Sequence, residues 1–201
     1  MNKALSHFYY QFHTHQHYFL CHDILEELWK SKPNFSKKDA VVSLILFSTA
    51  MYHYRRCNKL GALKSFKKAL YTFKHAKDKE TLGLKVNEFT LLIQNQIEKV
   101  KHDQTFQPIQ LPIKSAVERK IINLYPNYEY KTQINNDDMI VHCHRLRDRS
   151  DIIAARKKHL KIKERKVKSF TFLSFILSSR MELIIHLSYL RFRHMCIKLR
   201  C

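Results

Sequence analysis

Glycine is nearly absent from this chain: two residues in 201, alongside four prolines. An all-β fold needs turn residues every 8–12 positions or so, and that supply is missing. Long helices with few tight turns are what remains. Cysteine is sparse and forms no motif: Cys21, Cys57, Cys143, Cys196 and Cys201 make no C-x-x-C pair and are odd in number. Disulfide frameworks and zinc sites are not written that way, whereas a reducing cytoplasm suits it. The opening MNKALSHFYYQFHTH lacks the continuous apolar run of a signal peptide. The expectation is a cytoplasmic protein.

A core can be built, since 45% of the residues are hydrophobic. Positive charge is the other abundance, with a formal net charge of +20. It is unevenly spread. Residues 1–100 carry 16 Lys/Arg against 8 Asp/Glu, residues 101–144 carry 5 of each, and residues 145–201 carry 16 against 4. The excess therefore describes the last quarter more than the core. A basic run of this kind can bind nucleic acid or acidic surfaces, with Arg156, Lys157, Lys158, Lys161 and Lys163 as the candidates. A solvated helix face explains the same composition.

Hydrophobic periodicity predicts a helix over about residues 4–31, in which Tyr18, His22, Leu25 and Trp29 share one side. Pro33 ends it, and Ser36 is a candidate cap for the next. That second helix, Lys38 to Arg56, is apolar almost all round and should be the most buried element. Asn58 is placed to cap a third helix with an apolar stripe of Ala62, Leu63, Phe66, Ala69, Leu70 and Phe73. The second and third helices resemble a single tetratricopeptide-like hairpin, but no second copy follows at that repeat's period of about 34 residues. A fourth helix is expected from about Thr81. Residues 103–136 are looser, with a short helix over Ala116 to Leu124. The predicted fold is an all-α antiparallel helical bundle. Its divisions are a bundle domain over 1–136, a basic helix of the same domain over 137–168, and an atypical hydrophobic and basic tail over 169–201.

The uncharged run within that tail, Ser169 to Ser179, falls short of the ~20 residues that span a bilayer. No membrane span is expected. The tail's composition is unlike the rest and reads first as a frameshifted or degenerate extension. An amphipathic surface helix and an extra helix on the bundle are the alternatives.

Two stretches place ionisable groups inside segments of otherwise buried character: Phe12–Trp29 (FHTHQHYFLCHDILEELW) and Tyr52–Ala62 (YHYRRCNKLGA). Burying such groups costs several kcal/mol unless each finds a partner. The candidate polar cluster is His22, Asp23, Glu26, Glu27, Trp29, His53, Arg56 and Asn58. His22 and Glu26 stand four apart and can meet on one helical face. His53 can join them if the second helix packs antiparallel, and Arg56 can neutralise a carboxylate. A carboxylate with histidine is general acid–base equipment, and with two histidines it is metal-ligand equipment. The same groups can instead fix which helices pair. Trp29 is expected in the core, and His13, His15 and His17 at the surface. His142 and His144 flank Cys143 in a polar break before the basic helix.

These blocks, with IVHCHRLRDRSDIIAARKK, resemble the bacterial proteins grouped as domain of unknown function 309, over roughly residues 10–166. The resemblance implies an all-helical cytosolic protein without an established activity. Positions matching its motifs are His22, Glu26, Glu27, Trp29, His53, Arg56, Asn58, Gly61 and Ala62. Asp23, Leu20, Ser43, Leu46 and Cys57 depart from the pattern, Cys57 standing where glycine usually closes the helix.

The expected function is a non-enzymatic interaction module with a protein partner. A hydrolytic or metal-dependent enzyme using His22, Glu26 and His53 is one alternative. A basic nucleic-acid-binding accessory protein is the other. No catalytic residue, metal set or cofactor is assigned, and the residues leave the oligomeric state open.

Overall fold

The computed structural model describes residues 3–146 and residue 150. The chain divides into two compact units, Met1–Arg147 and Asp148–Cys201, of which the first is described here. The basic candidates Arg156, Lys157, Lys158, Lys161 and Lys163 and the 169–201 tail lie outside the described residues.

The first unit is an all-α bundle. Its helices are α1 (Lys3–Tyr10), α2 (Tyr18–Lys30), α3 (Ala40–Arg55), α4 (Lys59–His75), α5 (Val86–Lys101), α6 (Ser115–Leu124), and the short α7 (Asp138–Val141) and α8 (Cys143–Leu146). No strand occurs among the described residues, only an isolated bridge between Leu84 and Ile113. No helix among them is long and apolar enough to cross a membrane.

Helix α3 is the axis, as its all-round apolar sequence predicts. It packs on α2 on one side and α4 on the other. Phe47 at its centre is fully buried, edge-on to Phe66 of α4 and Phe89 of α5 at 5.3 Å each. A buried phenylalanine of this kind stabilises by about 1.5–3 kcal/mol. The α3–α4 hairpin forms as expected: Ala62, Phe66, Ala69 and Phe73 are buried, and the Asn58 side chain accepts from Gly61 N–H at 2.9 Å.

Both glycines have local reasons. A Cβ at Gly61 would come within 2.8 Å of the capping Asn58 side chain. Gly83 has φ +71°, a left-handed conformation that costs other residues strain.

Three expected boundaries are corrected. The single helix over 4–31 is broken: α1 runs into a π-helical turn at Gln11–His15, Gln16 turns left-handed at φ 53°, and α2 restarts behind His17. Helix α3 starts behind Asp39, not at Lys38, and the carboxylate of Asp78 accepts from Ala40 N–H at 2.8 Å. Ser36 instead joins Asp39 in the preceding turn, where Ser36 N–H donates to the Asp39 carboxylate. The helix expected from Thr81 begins at Val86, because Lys79–Leu82 is a 3-10 turn closed by Gly83.

An extended arm over residues 128–135 explains the first break. Gln16 is buried, and its amide donates to the carbonyls of Lys131 (3.1 Å) and Gln133 (2.7 Å) and accepts from Asn135 N–H (3.0 Å). Thr14 exchanges two hydrogen bonds with Glu129. The helix is interrupted so that its polar side chains can hold this arm.

Candidate functional site

Where α2 begins, α3 ends and α8 crosses, the side chains enclose a cleft of about 170 Å³. It is lined by Tyr18, Phe19 and His22 of α2, Thr49, Tyr52 and His53 of α3, and His144 of α8. Antiparallel packing of α2 and α3 brings His22 and His53 to one pocket, as the spacing predicts. His22 Nδ1 lies 3.0 Å from the Asp23 carboxylate. His53 Nδ1 lies 3.1 Å from the Asn58 amide. Burial first, and then Arg56, hold the His53 pKa below its ordinary value, favouring the neutral ring.

Other members of the predicted cluster stand apart from the pocket. Glu26 pairs with Lys30 at 3.0 Å on the half-exposed outer face, and Glu27 is exposed. Asp23, too, is only partly buried, so the premise of buried carboxylates is corrected. Helical spacing brings groups within reach of each other without deciding which way they face. The ligand atoms of His22, Asp23 and Glu26 do lie within 4.8 Å of one another, so these three could hold a cation. Trp29 is half-buried against the core and staples the α2–α3 turn, its Nε1–H donating to the Ser36 carbonyl at 3.0 Å with Phe35 edge-on at 4.9 Å. Asn58 serves as the α4 cap.

Among the described residues Arg56 meets no carboxylate, contrary to expectation. Its guanidinium lies over the Tyr52 ring at 5.2 Å, and Nη1 is 3.0 Å from His144 Nδ1. The Tyr52 hydroxyl is 2.7 Å from the same nitrogen and accepts from His144 N–H. His144 thus belongs to the pocket, a role its place in a polar break does not disclose.

Arg55, an ionisable group of the Tyr52–Ala62 stretch, is the other residue that the candidate cluster leaves out. It is buried, donates to the Gln16 carbonyl at 2.8 Å and the Ile140 carbonyl at 3.3 Å, and lies over the Tyr18 ring at 4.9 Å. Burial lowers its pKa, with nearby Tyr18, Tyr52 and Cys21 opposing. A signal for it exists: Leu44, Ser48 and Met51, all buried, precede Arg55 at spacings of 4, 3 and 4. Helical periodicity therefore selects Arg55, not Arg56, as the inward side chain.

Thiol chemistry finds no support here. Cys21 is fully buried, its Sγ is 3.6 Å from the Phe8 carbonyl, and burial raises its pKa well above the ordinary thiol range. Reactive cysteines need the opposite environment.

Residues 5–65 match the family model described as Domain of unknown function (DUF309). The chain is also 31% identical over 172 residues to "Uncharacterized protein YpuF" of Bacillus subtilis (strain 168), covering 83% of this chain and 97% of that relative. The chain belongs to this family. No solved structure matches it. Within the family match fall six of the seven pocket residues, together with Arg55 and Arg56; only His144 comes from outside it. One departure from the family pattern acquires a structural meaning. Cys57 has φ 57°, with Asn58 N–H on the His53 carbonyl and Cys57 N–H on that of Tyr54. That is the helix-closing motif in which glycine is favoured.

Proposed function

We propose that this DUF309-family chain is a non-enzymatic binding module, with the α2–α3–α8 cleft as its binding site. The observation that carries this reading is the make-up of the cleft: none of its seven lining residues has a carboxylate. Glu26 is not among the lining residues and pairs with Lys30, although its carboxylate lies within 4.8 Å of the ligand atoms of His22 and Asp23. What remains is a small recess of rings beside two guanidinium groups, suited to holding a group and ill-suited to turning it over. Free cysteines at positions 21 and 57 agree with a cytoplasmic setting.

A small diazirine side chain at Thr49, inside the cleft, and at Tyr71, exposed on α4, tests the assignment in cells. We expect one adduct of defined mass from position 49 and none from position 71, retained in Glu26→Gln. Equal labelling from both positions overturns the reading. So does stoichiometric metal in the purified protein that disappears in Glu26→Gln, which would favour a metal-dependent enzyme built on His22, Asp23 and Glu26.

A further inference from the structure

Six of the seven residues lining the cleft carry aromatic rings, and Thr49 is the exception. Phe19 stands 5.5 Å from Tyr52, and the His144 ring is edge-on to Tyr52 at 5.5 Å. Aromatic cages elsewhere commonly hold cations. Here the rings of Tyr18 and Tyr52 are already covered by Arg55 and Arg56. A further cation would meet two like charges, so the electrostatics select an anion.

At the cleft the Asp23 carboxylate lies 3.0 Å from His22 Nδ1. Neither Arg55 nor Arg56 takes part in an ion pair among the described residues. The carboxyl end of α3 offsets them by roughly half a charge. Buried polar atoms are also left over: Tyr18 Oη, the donors Arg55 Nε and Arg56 Nε, and His142 Nδ1 have no hydrogen-bond partner among the described residues. All four belong to the segments that meet at this corner. A buried unpaired donor costs on the order of 1–3 kcal/mol, so such a concentration calls for a ligand.

Size narrows the class. The cleft, about 170 Å³, is below the ~300–1,000 Å³ of pockets for drug-sized ligands and has room for roughly six waters at ~30 Å³ each. A single ring with one small substituent fits that space; a nucleotide does not. We infer that the cleft binds a small planar aromatic acid, its ring among Phe19, Tyr52 and the imidazoles and its carboxylate turned toward Arg56. This rests on the cleft being the binding site. In the present arrangement Arg56 Nη1 lies 3.0 Å from the His144 ring nitrogen Nδ1. A carboxylate accepting two parallel bonds is the stronger partner for a guanidinium.

Titration of the full chain, followed by calorimetry and the histidine Cε1–H resonances, tests the inference with benzoate, benzamide, inorganic phosphate and tetramethylammonium. Benzoate should bind saturably and shift the resonances of His22 and His53. Arg56→Gln should weaken it about tenfold, the scale of a lost charge-assisted bond. Thr49→Leu, which narrows the cleft without changing charge, should weaken it as well. Benzamide binding as tightly as benzoate, phosphate or tetramethylammonium binding more tightly, or unchanged affinity in Arg56→Gln each overturn the inference. No benzoate binding with the Thr49 adduct intact overturns the ligand class alone. Benzoate binding without any cellular adduct leaves the class standing and removes the module reading.

Discussion

Two corners of this bundle lie side by side and are built on opposite principles. At the π-turn, His13, Thr14 and Gln16 are buried, and their polar atoms are matched by the incoming arm and by Leu111 N–H. At the cleft, aromatic rings and guanidiniums are gathered with no carboxylate among the described lining residues, and four buried polar atoms in and around it have no partner among the described residues. Arg55 touches both, with one nitrogen on the Gln16 carbonyl and the other on that of Ile140. The contrast separates two uses of buried polarity. A fully satisfied network fixes register and holds a long connection in place. A deliberately incomplete one is poised for a group that arrives later.

Breaking the closed corner should cost most. His13 is fully enclosed; its Nε2 accepts from Leu111 N–H at 2.8 Å, which leaves Nδ1 to donate to the Tyr128 hydroxyl at 2.7 Å. His13→Ala removes a packed ring and orphans a buried amide, an expected loss of about 3–4 kcal/mol measured by urea unfolding. An unchanged midpoint would mean the arm is not held here.

Acid probes the same corner without mutation. Burial pushes the His13 pKa from 6.5 down to about 4. Between those values the unfolded chain binds the extra proton, so stability rises with pH across that window. The neutral ring contributes fully above about pH 6.5, and the contribution is lost as pH falls toward 4. The full swing is about 3 kcal/mol. Unfolding curves at several pH values should show this slope in the wild type, and His13→Gln should flatten it. A slope that survives the substitution would place the acid sensitivity elsewhere.

The open corner should yield less. Tyr52→Phe removes a hydroxyl that bonds His144 through both its ring and its backbone N–H. The expected cost is about 1 kcal/mol. Hydrogen exchange sharpens the comparison: the His144 amide should exchange faster in this variant, while that of Leu111, donating to His13, should not. Equal acceleration at both would make the two corners one cooperative unit.

How much of this was legible in the sequence depends on the range of the interaction. Pro33, Asn58 and Gly61 act within a turn of their own positions; α2 ends before Pro33, and the α3–α4 hairpin that Asn58 and Gly61 punctuate forms as read. The apolar completeness of α3 likewise marks it as the axis. The break at Gln16 was hidden because its cause lies 115 or more residues away, in the carbonyls of Lys131 and Gln133. The same distance conceals His13, read as a surface histidine and found buried. For the site, the condition of antiparallel packing joined His22 to His53, and both line one cleft. It could not say that Glu26 turns outward to Lys30, nor that Arg56 finds His144 across 88 residues.

Each corner also holds a non-glycine residue in left-handed backbone, and these two are not equivalent. Gln16, at φ 53°, recovers the strain through three side-chain hydrogen bonds to the arm. Cys57, at φ 57°, closes α3 beside the cleft with an exposed side chain. A side chain in that conformation costs roughly 1 kcal/mol relative to glycine. Cys57→Gly should therefore stabilise the protein, by a few tenths to about 1 kcal/mol once the greater freedom of the unfolded glycine is subtracted. It should do so without altering benzoate affinity, because the closing bonds from Asn58 N–H and Cys57 N–H are backbone bonds that glycine keeps. Thermal unfolding beside benzoate titration checks both halves. A gain in stability with weakened binding would mean that strain at the end of α3 helps to aim Arg56 at the cleft, and the open corner would then be tensioned as well as unfilled.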